Sequence, residues 1–100
     1  MSDARNGHLF QVHASRNVLD QFKKAHAIEF AHGKGEQFIQ AMRAIHHRLR
    51  TDPVAFGEEL YRLPALRMVV HVGILVPLII HYAVHDDRPL VFIRSVHPFG

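Results

Sequence analysis

Residues 68 to 97, MVVHVGILVPLIIHYAVHDDRPLVFIRSVH, decide the fold. Met68 to Val84 contains no Asp, Glu, Lys or Arg. A membrane-spanning helix needs about 20 apolar residues. This run is shorter, is interrupted by His71, Gly73, Pro77 and His81, and is rich in Val and Ile. It therefore reads as strands rather than as a spanning helix. His85-Asp86-Asp87-Arg88-Pro89 is a polar turn. The chain around it predicts three consecutive antiparallel strands, with Pro77 to His85 at the centre and Leu90 to Val96 last. The first connection, Gly73 to Val76, is unusually apolar for a hairpin tip.

Upstream the period changes. His8 to His13 alternates weakly and suits a short edge strand, with residues 1–7 as a lead-in. Ser15 is placed to cap a helix in which Val18, Leu19, Phe22, Ala25 and Ile28 or Glu29 recur at helical spacing. Gly33 marks its end near Ala31–His32. A second helix follows, with Phe38, Met42, Ile45 and Leu49 as its apolar stripe and Ile39 and His46 at the margin. Asp52-Pro53 stops it, because the residue before proline is driven out of the α region. Residues 51–66 read as a connector with Val54, Phe56, Leu60 and Leu63 tucked beneath it. The expected fold is α+β in the order β-α-α-β-β-β. Residues 1–100 form one domain, an antiparallel sheet with a helical hairpin packed on one face.

Period two then assigns faces in the sheet. A three-residue Asp86-Asp87-Arg88 loop sets Tyr82 opposite Phe92, Ile80 opposite Arg94 and Leu78 opposite Val96. Leu78, Ile80, Tyr82, Leu90, Phe92 and Val96 then face the helices. Ile79, His81, Ala83, Ile93, Ser95 and His97 form the second face, with His71 a candidate to join them. Arg94 falls awkwardly on the core side, unless a bulge turns it elsewhere.

Ten histidines, twelve Lys and Arg, nine Asp and Glu, and no cysteine characterise the 100 residues. The absence of thiols excludes disulfides and cysteine nucleophiles. A net charge of +3 permits an acidic or nucleic-acid partner without demanding one. Arg43, His47 and Arg50 are candidate nucleic-acid contacts, although such a run is more often a solvated helix face. Metal-ligand spacing is weak, and neither a metal nor another cofactor is expected. Ile74, Leu75, Val76 and Pro77 form an apolar tip suited to a protein partner or a second copy of the chain. No secretory leader is visible in the first ten residues, and the absence of cysteine favours a reducing compartment, so the cytoplasm is expected.

Several stretches together resemble the RelE/ParE superfamily of type II toxins. They are Arg50-Thr51-Asp52-Pro53 after the second helix, Leu63-Pro64 before the strands, and the final run from Tyr82 to Val96 through Asp86-Asp87. The resemblance covers about His8 to Phe99. It implies a cytoplasmic toxin neutralised by a cognate antitoxin whose tail adds a helix and a strand. RelE-like members cut mRNA on the ribosome, and ParE-like members poison DNA gyrase. RelE-like members carry a basic residue leading into the middle strand. Here that lead is Leu75 to Tyr82, without Arg or Lys. The expectation is therefore a ParE-like toxin. The alternatives are an mRNA endoribonuclease using His81, His97 and Arg94, with Arg67 as a further cation, or a non-toxic assembly module.

Overall fold

A computed structural model describes residues 9–98. The lead-in 1–7, His8 and the Phe99-Gly100 terminus lie outside the described residues. The elements in chain order are β1 (Gln11–Ala14), α1 (Arg16–Ala31), α2 (Gly35–Thr51), α3 (Pro53–Phe56), β2 (Glu58–Leu63), a 3-10 turn (Pro64–Leu66), β3 (Met68–Leu75), β4 (Leu78–His85) and β5 (Leu90–Pro98). The fold is α+β, with a helical hairpin against one face of a single sheet. The sheet has five strands in the order β1-β5-β4-β3-β2. All neighbours are antiparallel except β1 and β5, which run parallel.

Local chemistry accounts for the hairpin. Ser15 accepts the Val18 N–H at 3.2 Å and so caps α1. Gly33, at φ 74, takes the left-handed position that ends the helix after the His32 cap. On α2, Phe38, Ala41, Ile45 and Leu49 are buried, and Asp52 terminates the helix before Pro53. On α1, Val18, Ala25 and Glu29 are buried, whereas Leu19 and Ile28 stay exposed.

The sequence-predicted connector over residues 51–66 is corrected. It holds α3, the edge strand β2 and the 3-10 turn, and Val54 and Leu60 are exposed rather than tucked under. β2 escapes pattern reading because it begins with two glutamates and its register shifts between Glu59 and Tyr61. A bulge destroys the simple alternation by which an edge strand is recognised.

The core lies between the helices and the inner face of the sheet. Leu78, Ile80, Tyr82 and Val84 from β4, with Val91 and Val96 from β5, meet Ala25, Phe38, Ala41, Ile45 and Leu49. The central β4 is therefore buried along one side, as its apolar sequence requires. Tyr82 is fully buried and donates its hydroxyl to the Pro53 carbonyl oxygen at 2.6 Å. Burial pushes its phenol up to about 12. A Cβ on Gly57 would lie 2.7 Å from that hydroxyl, and one on Gly73 would lie 2.4 Å from the Phe56 ring. Both glycines thus permit the α3 segment to lie close on the sheet.

The predicted β4–β5 register is also corrected. Tyr82 pairs with Ile93 and Ala83 with Phe92, one residue away from the expected pairing. His85 ends β4 and Leu90 starts β5, so the loop has one more residue than the predicted three. Its Asp87 and Arg88 N–H groups both donate to His85 Nδ1 at 3.0 Å. A second shift lies between His81 and Tyr82. Beyond it His81 pairs with Ser95, Ile80 with Val96 and Ile79 with His97. Arg94 is the extra residue of this bulge. Leu90 and Phe92 therefore leave the predicted core face, while Val96 keeps its place there.

Candidate functional site: the open face of the sheet

The face away from the helices is divided along its length. At the end near the β4–β5 turn, Met68, Val70 and Ala83 are buried in a small cluster with Leu63 against it. Toward the other end the residues become polar. His81 Nδ1 lies 3.2 Å from Ser95 Oγ. The His81 and His97 rings meet edge to face, with centroids 5.8 Å apart. Beside β1, His13 stacks on Phe92 at 5.0 Å.

Arg94 has no partner on β4, and as the bulged residue it is exposed. A shallow depression of about 470 Å3 brings Arg94 together with His81, Ser95 and Tyr61, and reaches Ser15 at the start of α1. Beyond the end of β1 the edge of β5 loses its strand neighbour. There the Val96 N–H donates to Gln21 Oε1 of α1 at 2.9 Å, so a side chain replaces the missing strand.

The electrostatics separate the two histidines. His81 is held below its ordinary value, first by burial and second by the nearby His97. Burial disfavours the imidazolium, and a second positive charge next to it would repel. His81 therefore favours the neutral form, which can accept a proton. Tyr61 brings a phenol, Arg94 a guanidinium and Ser95 a hydroxyl to the same depression. This set can accept and donate protons and bind an anionic group.

Two sequence-predicted members do not join. His71 lies on the helix side of the sheet, stacked on Tyr82 with centroids 5.3 Å apart and only 1% exposed. The predicted gathering of His71 with His81 and His97 is therefore corrected. An unbroken β3–β4 ladder pairs His71 with Tyr82, and directly paired residues share a face. Arg67 sits before β3 in a left-handed turn at φ 55 and forms an ion pair with Asp87. Met68, its neighbour, pairs with His85, four residues along β4 from His81. At about 3.3 Å per residue, that places Arg67 roughly 13 Å from the histidine pair.

The apolar tip is split as well. β3 runs through Leu75, which leaves Val76-Pro77, joined by a cis peptide bond, as the turn. Ile74 and Val76 are exposed, Pro77 is buried and Leu75 packs on the core. Arg43, His47 and Arg50 do come together, with His46, around a separate concavity on α2. Tyr61 escapes the sequence pattern together with its strand, because the bulge between Glu59 and Tyr61 breaks the alternation of Glu58 to Leu63.

Among the described residues no group of three His, Cys, Asp or Glu comes together as a metal site. No helix among them is long and apolar enough to cross a membrane. The chain matches no known family model, no curated protein and no solved structure.

Proposed function

We propose that this protein is a RelE/ParE-like toxin, neutralised by a cognate antitoxin in the cytoplasm, that meets its target through the open sheet face. One observation carries the reading. The helical hairpin covers one side of the sheet, while the other side presents His81, Ser95 and the bulged Arg94 around a shallow depression, with the His97 ring against His81. A solvated sheet face is commonly polar, but here a guanidinium, an imidazole, a hydroxyl and a phenol converge on one concavity. The exposed Ile74 and Val76 suit contact with the antitoxin. The lead into β4 lacks Arg and Lys. This favours the ParE-like mode, in which the toxin inhibits DNA gyrase by binding it.

The histidine pair favours a second reading, cleavage of RNA. Neutral His81 would take the proton of a ribose 2′-hydroxyl. The 2′-oxygen would then attack phosphorus and the bond from phosphorus to the 5′-oxygen would break. A protonated His97 would supply the proton to that leaving oxygen, and Arg94 would face the charge on the phosphorane.

Induced expression in a bacterial host, followed by translation and DNA supercoiling in parallel, tests both. Loss of supercoiling first, weakened by His81→Ala/His97→Ala, is the result expected of the ParE-like mode. Loss of translation first, abolished by the same substitutions, would replace it with the nuclease. Growth unaffected by the wild-type chain would overturn both.

A further inference from the structure

The three arginines of α2 are treated differently by their surroundings. Arg48 is provided for: its guanidinium lies 5.1 Å from the Phe56 ring centre and 3.9 Å from an Asp52 carboxylate oxygen. Arg43 and Arg50 have no acidic partner among the described residues. With His46 and His47 they occupy positions i, i+3, i+4 and i+7, which fall on one side of a helix. Leu9 closes that side into a concavity of about 300 Å3. The Phe10 N–H holds the chain there by donating to the Arg50 carbonyl oxygen at 2.8 Å. Among the described residues the lining includes no carboxylate.

We propose that this concavity binds a phosphoryl group, either of a small phosphate or of a nucleic-acid backbone. Two guanidinium forks can each grip two phosphoryl oxygens, and two imidazoles stand beside them as further donors. The site is on the outward side of the helical layer, away from the His81 depression, so it stands independently of the toxin reading. Asp52, just past the end of α2, pairs with Arg48 rather than with Arg43 or Arg50.

The test is an NMR titration of the full chain at constant ionic strength, with inorganic phosphate in one arm and a short 2′-deoxy oligonucleotide in the other. Saturable shifts at Arg43, His46, His47 and Arg50 are expected. They should weaken about tenfold or more in Arg43→Gln/Arg50→Gln, the loss that corresponds to a charge-assisted hydrogen bond, and persist in His81→Ala. Saturation by phosphate itself identifies a small-phosphate site. Saturation by the oligonucleotide alone identifies a backbone site. Equal shifts with chloride, saturation with neither ligand, or undiminished binding by the double variant would overturn the proposal. All four side chains are exposed, so the variants should retain the wild-type far-UV spectrum.

Discussion

The two faces of the sheet are built from the same strands under opposite rules. On the helix side, Leu78, Ile80, Tyr82 and Val84 are almost without solvent contact, and the one buried hydroxyl is satisfied by Pro53. On the other side, the residues between these positions are Ile79, His81, Ala83 and His85, and only Ala83 is fully buried. The alternation of β4 is thus an alternation between buried packing and accessible side chains. Substitutions on the first face should act on folding, and those on the second on function.

The largest effect is expected from Leu49→Ala. Leu49 is completely buried under the sheet, and truncation leaves a cavity costing about 2–5 kcal/mol. Denaturant unfolding measures it, and a cost below about 1 kcal/mol would break the contrast between faces. Tyr82→Phe comes next. It removes the donor to the Pro53 carbonyl and should cost about 1–3 kcal/mol. The loss should be accompanied by faster amide exchange around Gly57, whose backbone approaches the same hydroxyl.

A smaller effect is expected from pH. His81 has a folded-state value below the 6.5 of the free side chain. The unfolded chain therefore takes up a proton more readily than the folded one, and the neutral form favours folding. Its contribution is fully present above pH 6.5, declines as pH falls below 6.5, and levels off below the folded value. His81→Gln should flatten that part of the stability profile. An unchanged profile would remove the assigned burial of the imidazole. The smallest stability effect belongs to His97→Ala, within about 0.5 kcal/mol, because the side chain is exposed. A larger loss would mean that the open face contributes to the core.

The elements that rest on local chemistry were legible in the sequence. The Ser15 cap, the Gly33 stop, the α2 stripe and the Asp52-Pro53 terminus all sit where periodicity and capping put them. The errors arose where a single residue changes parity. The turn after β4 is closed by His85 accepting two backbone N–H groups, a use of histidine that composition does not announce. It lengthens the loop by one residue, and the pairings Val84–Val91, Ala83–Phe92 and Tyr82–Ile93 shift with it. The bulge at Arg94 then restores Val96 to the core. It also turns an arginine that looked misplaced on the helix face into part of the open depression. A bulge at Glu59–Tyr61 likewise concealed β2 and the Tyr61 phenol. The side of His71 depended on the apolar Gly73–Pro77 connection, whose two-residue Val76-Pro77 turn carries no polar turn signal.

The claim that the open face is the working surface is tested most directly by one growth measurement. The wild-type chain and the variant Tyr61→Ala/His81→Ala/Arg94→Ala/His97→Ala are induced in a bacterial host, after both are shown to melt at similar temperatures. The account predicts growth arrest by the wild-type protein and none by the variant. Equal arrest by both would contradict it, because the target would then be met by another surface.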